Sequence, residues 1–282
     1  MSYLEGDGET FNSNWENREE ALRLHFSKGA PETQLEFAFR KHFDYIQEVN
    51  RTSRRLKVLE VGAGRGSLGA HFASAGHEVT LLDISPKVME VAQVAFQKYE
   101  LEADFVVADC LDLPFEESQF DLICSIGLLE HFEEPEIAIR EQIRVLNPGG
   151  MLSSYVVPEH TPTIQKDHEW INQLLAALSD SEQTENHMVM KQPVFRTDFL
   201  HDHYRSVYEQ EGLVDVSHDW VYAMPMISHS TSFPFTLLNP AAELVLLEYL
   251  KSFSTEGTAG WACSDLEGQA FFVNGRKPEL NQ

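Results

Sequence analysis

The chain has 282 residues and a formal net charge of −24, from 45 acidic residues against 21 lysines and arginines. Nucleic acids and anionic membranes would repel such a charge, so we expect neither as a partner. The charge serves solubility or reflects a salt-adapted host. No apolar run approaches the roughly 18–20 residues of a membrane span. The first ten residues carry three acids and no lysine or arginine, unlike a signal peptide, so we expect a cytoplasmic protein.

The three cysteines and twelve histidines show no metal-ligand spacing. We therefore expect no metal site. Reduced thiols are expected, with Cys124 in a core strand.

Apolar residues at helical spacing predict two helices before the first strand. On the first helix these residues are Trp15, Leu22 and Phe26. On the second, which begins near Pro31, they are Leu35, Phe39, Phe43 and Ile46. Two interpretations stay open: the helices cap a ligand site, or they simply cover one face of a sheet.

A strand, a glycine turn and a helix come next, at Val58–Val61, Gly62–Gly66 and Ser67–Ser74. This sequence of elements opens a nucleotide-binding βαβ unit. Glycines let the backbone of such a turn run close beneath a ligand. A dinucleotide fingerprint needs its third glycine three positions after the second, where this chain has Ser67. That difference disfavours an NAD-dependent enzyme.

Acidic residues lie at or near the ends of three consecutive strands. Glu60 precedes the first glycine by two positions, Asp83 follows strand 2 (77–82), and Asp109 follows strand 3 (103–108). A parallel sheet binds ligands at the carboxyl ends of its strands. Asp83 is placed where an acid can bind two ribose hydroxyls. Ser85 and Pro86 then predict a helix start.

The remaining elements complete an alternating α/β pattern. Strand 4 is predicted at Phe120–Ser125 and a helix begins at Pro135. A tight turn at Asn147–Gly150 leads into strand 5, Met151–Val157. Later segments predict a helix, strand 6, a second helix and strand 7, at 199–212, 214–224, 241–253 and 269–273.

The acid-x-Gly-x-Gly-x-Gly pattern of Glu60–Gly66 resembles motif I of the class I S-adenosylmethionine-dependent methyltransferases. Phe120-Asp121, Leu129-Glu130-His131 and Leu146–Gly150 follow in the order and spacing of that family. Over residues 56–158 the chain resembles the small-molecule methyltransferases that include the quinone-biosynthesis C-methyltransferases.

This resemblance implies a seven-stranded, mostly parallel sheet sandwiched by helices, with strand 7 antiparallel beside strand 6. Four divisions are expected: a helical cap at 1–50, the S-adenosylmethionine-binding core at 51–158, a helical insertion at 159–198, and the completion of the core at 199–282. The last division carries a second insertion near 225–260.

The resemblance also implies the site residues. Expected contacts of the cofactor S-adenosylmethionine are Glu60, Gly62, Ala63, Gly64, Gly66, Asp83, Ile84, Asp109, Cys110, Leu111 and Ile126. The run Asp109-Cys110-Leu111 resembles the loop that holds adenine, where a carboxylate accepts from the exocyclic amine.

Four further residues are candidates for catalysis and substrate binding. His131 can serve as a general base at neutral pH, or it only shapes the pocket. Glu130 is a second catalytic candidate, with a capping or solvated carboxylate as the alternative. Trp15 and His160 are expected to contact the substrate.

The expected function is in-line transfer of a methyl group to an O, N, C or S atom of a small molecule. The alternative is a module that binds S-adenosylmethionine or a partner without methyl transfer. The Asn-Pro-Pro-Tyr motif of base methyltransferases is missing after strand 4, where the chain reads Cys124-Ser125-Ile126-Gly127. The acceptor atom and the oligomeric state stay open.

Overall fold

The computed structural model describes residues 24–159, 195–221, 240–252, 268 and 270–279. Seven strands form one sheet in the order β3-β2-β1-β4-β5-β7-β6. Their bounds are β1 Lys57–Val61, β2 Glu78–Asp83, β3 Asp104–Val107, β4 Phe120–Ile126, β5 Leu146–Val156, β6 Val214–Val221 and β7 Ala270–Arg276. Only β7 runs antiparallel to its neighbours, β5 and β6, which confirms the fold expected from the sequence.

Six α-helices lie in the described ranges. They are α1 Gln34–Asn50, α2 Ser67–Ser74, α3 Pro86–Lys98, α4 Pro135–Val145, α5 His201–Gln210 and α6 Pro240–Ser252, with a single 3-10 turn at Leu129–His131. As predicted, Ser85 is the N-cap residue of α3, and its side chain accepts from the Val88 amide at 3.2 Å. Among the described residues, no helix combines the length and the apolar character needed to cross a bilayer.

The sheet is buried on both faces, as expected for parallel strands connected by helices. Val58 and Leu59 of β1 point to opposite faces, and both are fully buried. One face packs against α1, α2, α3 and α6. The other packs against α4 and α5. The carboxyl ends of the parallel strands therefore open between two helical layers.

A chain of buried hydrogen bonds fastens α1 to the sheet. The Tyr45 hydroxyl donates to Asp219 Oδ2 of β6 at 2.6 Å and accepts from Asn274 Nδ2 of β7 at 2.8 Å. Ser153 Oγ of β5 donates to Asn274 Oδ1 at 2.8 Å. Burial, then the Asp219 carboxylate, raises the pKa of Tyr45, so its hydroxyl keeps the proton that it donates. One helix is thus tied to three strands, and α1 covers a sheet face.

The first predicted N-terminal helix is not seen where it can be checked. Phe26 is buried in non-helical backbone before α1, whereas Trp15 and Leu22 lie outside the described residues. The backbone amide of His25, the residue before it, donates to Ser67 Oγ at 3.0 Å, which places this segment against the start of α2. The helix prediction is therefore wrong at Phe26, which tertiary packing buries; for Trp15 and Leu22 it stays a prediction.

Two strands are longer than predicted because their glycines continue the strand. The predicted turn at 147–150 belongs to β5, where the Gly149 amide donates to the Lys277 carbonyl at 2.8 Å. The strand β7 runs through Gly275, where a Cβ would come within 2.9 Å of Leu213 Cδ1. Glycine at these positions permits close approach of a neighbour.

We predict that Tyr45→Phe lowers the free energy of unfolding by about 1–2 kcal/mol, because Asn274 and Asp219 each lose a hydrogen-bond partner. Urea denaturation followed by circular dichroism measures the change. Tyr249→Phe is the matched control, since Tyr249 is 43% exposed. Equal unfolding midpoints for wild type and Tyr45→Phe would contradict the prediction.

Candidate functional site

The predicted cofactor residues come together at one edge of the sheet. Because β1, β2, β3 and β4 are parallel neighbours, their carboxyl ends meet there. The Ala63 amide donates to the Leu82 carbonyl at 2.9 Å, and the Ala108 amide donates to the Asp83 carbonyl at 3.1 Å. These bonds join the turn after β1 to the end of β2, and the end of β2 to the end of β3. Ile126 is the last residue of β4 and is half-buried.

The three glycines of the turn have different surroundings. A Cβ on Gly62 would lie 2.8 Å from Leu128 Cδ1, and a Cβ on Gly66 would lie 2.5 Å from Leu81 Cδ1. A Cβ on Gly64 would meet nothing within 4 Å, and its φ is +53°. Gly62 and Gly66 therefore allow the protein to pack against itself. Gly64 faces open space, so it is where a ligand can approach the backbone.

Asp83 holds the turn at this open position. Its Oδ2 accepts from the Gly64 amide at 2.9 Å, and its Oδ1 accepts from the Ser85 amide at 3.0 Å. Burial raises the pKa of Asp83, while backbone N–H donors, including these two, oppose the rise. The next side chain, Ile84, is 39% exposed. A half-buried carboxylate and an exposed apolar side chain thus lie side by side next to Gly64.

Glu60 lies beneath the turn and supports the following helix. The N-cap residue of α2 is Gly66, which has no side chain to satisfy the first amides of the helix. Glu60 Oε2 accepts from the Gly69 amide at 2.7 Å instead. Burial raises the pKa of Glu60 to about 8. The bond from Gly69 opposes this rise, and the negative charge of Asp83 adds to it. Contact between Glu60 and a cofactor stays a prediction; the contact seen is with α2.

The loop after β3 adds a second carboxylate to the same edge. Asp109 Oδ1 accepts from the Leu111 amide at 2.9 Å, which fixes a short turn. Cys110 is 8% exposed, and burial, followed by the charges of Asp109 and Asp83, raises the pKa of its thiol to about 12. Both acids are therefore close to Cys110. Leu111 is half-buried, and adenine binding by this loop stays a prediction.

The two catalytic candidates lie on the 3-10 turn after β4. His131 is half-buried, and its Nδ1 is 2.6 Å from the Phe195 carbonyl oxygen. Glu130 is 1% exposed, and its Oε1 accepts from the Val157 amide at 3.2 Å. Burial raises the pKa of Glu130, and the nearby His131 and Arg196 side chains oppose this rise. Catalysis by Glu130 stays a prediction, but its burial favours the alternative of a carboxylate that organises the backbone.

Trp15 and His160, the predicted substrate contacts, lie outside the described residues. In the ranges that the structure describes, no three His, Cys, Asp or Glu side chains are grouped to hold a metal. Leu128, an apolar residue after β4 that lies close to Gly62, was not predicted from the sequence. Nor were Phe195 and Thr197, which contact the 3-10 turn through backbone atoms and so leave no signal in residue type.

Comparison with known sequences finds similarity in the central part of the chain. Residues 59–154 match the family described as "Methyltransferase domain". A ubiquinone biosynthesis O-methyltransferase of Xanthomonas oryzae pv. oryzae is 35% identical over 97 residues, which cover 34% of this chain and 41% of that protein. The corresponding protein of Xanthomonas axonopodis pv. citri is 34% identical over the same length, 97 residues. The chain thus spans about two fifths of the length of the curated relatives it matches.

Solved structures share the fold at low sequence identity. The YcgJ protein of Bacillus subtilis has a TM-score of 0.54 and 17% identity, covering 85% of this chain and 100% of its own. A proposed methyltransferase of Bacillus halodurans has a TM-score of 0.52 and 16% identity, with coverages of 84% and 98%. The [4+2]-cyclase SpnF has a TM-score of 0.54 and 20% identity, with coverages of 96% and 92%. The likeness to these three concerns the fold alone.

We predict that Glu60→Gln changes the pH dependence of stability. Glu60 has a pKa of about 8 against an ordinary 4.5, so the folded protein keeps a proton that the unfolded chain releases between these values. The free energy of unfolding of the wild type therefore falls as pH rises through this window. Glutamine still accepts from Gly69 but does not titrate. The variant should gain about 1 kcal/mol or more relative to wild type between about pH 5 and about pH 8.

Urea unfolding at several pH values measures this difference. Glu78→Gln is the control on the neighbouring strand, where the side chain is 51% exposed. A difference between Glu60→Gln and wild type that stays constant across the window would show that Glu60 is ionised in the folded protein.

Proposed function

We propose that the protein transfers a methyl group from S-adenosylmethionine to a small molecule, since residues 59–154 match the family described as "Methyltransferase domain". The observation that carries the proposal is the pairing of Gly64 with Asp83. The backbone at Gly64 faces open space, and its amide is bonded to a carboxylate at 2.9 Å. Open backbone beside a fixed carboxylate suits a ligand with an amino-acid part and a ribose.

The residues at the sheet edge fit S-adenosylmethionine. The turn at Gly62–Gly66, with Ala63, is proposed to lie beneath the methionine part. Asp83 is proposed to accept from the ribose hydroxyls, because each carboxylate oxygen has a lone pair beyond the one used by a backbone amide. Asp109 is proposed to accept from the adenine amine, with Ile84, Cys110, Leu111 and Ile126 as apolar contacts.

The bound cofactor supplies a methyl group that is already activated by a sulfonium. The protein therefore contributes mainly by positioning the acceptor and excluding water. The position of His131 just past β4 supports a further contribution, the removal of a proton from the acceptor.

We propose a small molecule with a hydroxyl as the acceptor. The formal net charge of −24 disfavours nucleic acid. The curated relatives, which match this chain over the domain only, are O-methyltransferases of ubiquinone biosynthesis by name. Transfer to oxygen is therefore the first reaction to test.

In the proposed division of the chain, the segments outside the methyltransferase core lie on the substrate side of the site. In the N-terminal segment 1–50 the His25 amide donates to Ser67 Oγ at the start of α2, and residues 195–197 of the insertion reach the 3-10 turn. These contacts support the proposal that the additions at 1–50 and 159–198 border the methyl side of the site.

The alternative function is a module that binds S-adenosylmethionine without methyl transfer. The presence of a [4+2]-cyclase among the fold neighbours favours keeping it, because the same fold is not tied to one reaction. Incubation with methyl-labelled S-adenosylmethionine and a metabolite extract separates the two. We expect label in a small-molecule product. Tight cofactor binding without any labelled product would support the alternative.

We predict that Gly64→Val abolishes measurable S-adenosylmethionine binding, because the branched side chain would fill the open space above the turn. Gly76→Val is the matched control. Gly76 also has positive φ, +88°, and open space around it, but it lies before β2, at the opposite edge of the sheet. Both variants should lose roughly 1–2 kcal/mol of stability from backbone strain.

Isothermal titration measures binding and urea denaturation measures stability. Only Gly64→Val should lose the cofactor. Equal affinity in the two variants would show that the turn does not face the ligand.

A further inference from the structure

We infer that the backbone strip Phe195–Thr197 is a positioning element that selects the nitrogen of His131 that accepts a proton. This inference rests on the proposed function, since it assigns a base to the same site. The strip lies far from His131 in sequence, yet it contacts two successive residues of the 3-10 turn, Glu130 and His131. It therefore controls the orientation of the imidazole.

The strip is bonded on two sides. The Thr197 amide donates to the Glu130 carbonyl at 2.8 Å, and the Thr197 carbonyl accepts from the Glu159 amide at 2.8 Å. Thr197 is 7% exposed, and its hydroxyl is 3.4 Å from the hydroxyl of Tyr204 in α5. The strip is thus held between the 3-10 turn and the chain that leaves β5.

The contact with His131 has only one possible direction. Its Nδ1 is 2.6 Å from the Phe195 carbonyl oxygen, and a carbonyl oxygen only accepts. Nδ1 must therefore carry the hydrogen. In a neutral imidazole the basic lone pair is then on Nε2. The Phe195 carbonyl thus fixes both the tautomer and the ring orientation of His131.

Glu130 belongs to the same arrangement as a second positioning residue. Its carbonyl accepts from Thr197, and its side-chain Oε1 accepts from the Val157 amide at 3.2 Å. One buried residue thereby links the 3-10 turn to the strip and to the end of β5. Glu130 is 1% exposed, and through these bonds it holds the turn that carries His131.

The step that this geometry serves is methyl transfer to a hydroxyl group that is protonated at neutral pH, such as a phenol or an enol. The hydroxyl oxygen forms a bond to the methyl carbon while the carbon–sulfur bond breaks. The electron pair of that bond goes to sulfur, which becomes a neutral thioether. The hydroxyl proton passes to His131 Nε2, which becomes an imidazolium and later releases the proton to water.

The tautomer can be measured without any substrate. Nitrogen-15 NMR of the full chain labelled at histidine distinguishes a protonated Nδ1 from a protonated Nε2, and His131→Gln identifies the resonances. We expect neutral His131 to carry its hydrogen on Nδ1. A hydrogen on Nε2, or a rapid mixture of both tautomers, would overturn the inference even if the protein proves to be a methyltransferase.

Thr197→Pro tests the strip itself, because proline has no N–H to donate to the Glu130 carbonyl. We expect loss of the single tautomer, a decrease in kcat of roughly tenfold or more, and unchanged affinity for S-adenosylmethionine. Raising the pH until the acceptor hydroxyl ionises should restore kcat. Thr197→Val keeps the N–H and should keep the wild-type histidine spectrum.

A Thr197→Pro protein that folds and retains both the tautomer and kcat would contradict the inference. So would a Thr197→Val protein with the spectrum of Thr197→Pro, since the hydroxyl would then be the group that matters. If methyl transfer itself is absent, the labelled-cofactor experiment fails while the tautomer result still stands, so the two failures are distinguishable.

Discussion

The hydrogen bond from the Gly69 amide to the buried Glu60 carboxyl group is the interaction on which the site depends. A helix that begins at a glycine lacks a side-chain cap, and here the preceding strand supplies the acceptor at 2.7 Å. The bond fixes the start of α2 relative to β1, and the turn lies between these two elements. Because both ends of the turn are fixed, Gly64 is placed where its amide can donate to Asp83.

The same kind of contact recurs around the edge of the sheet. Asp83, Asp109 and Glu130 each direct a carboxylate oxygen at a backbone amide, and His131 directs Nδ1 at a backbone carbonyl. Side chains that bond to backbone fix the loops without large contact areas. The loops can therefore hold a rigid geometry while one side of each stays open to a ligand, which is what precise positioning of reactants requires.

Most element boundaries could be predicted from the sequence, because glycines, prolines and strand-ending acids mark them locally. The seven-stranded sheet and its antiparallel strand were expected from the resemblance to the methyltransferases. The sequence predicted that Glu60, Asp83 and Asp109 lie near one edge, because parallel strands end together. It did not reveal that Glu60 supports a helix, since an acid before a glycine turn has the same pattern whether it faces a ligand or a backbone amide. The contacts of Phe195 and Thr197 were also hidden, because they join backbone atoms more than 60 residues from His131 in sequence.

The insertion of β7 between β5 and β6 has a consequence for folding during synthesis. β6 pairs only with β7 within the described sheet, so it has no partner when it leaves the ribosome. The outer edge of β5 is likewise unpaired until residues 270–276 arrive. Sheet closure therefore waits for contacts of large sequence separation, which form slowly. During this interval two strand edges are open to pairing with other chains, so aggregation competes with folding most strongly just before the last strand inserts.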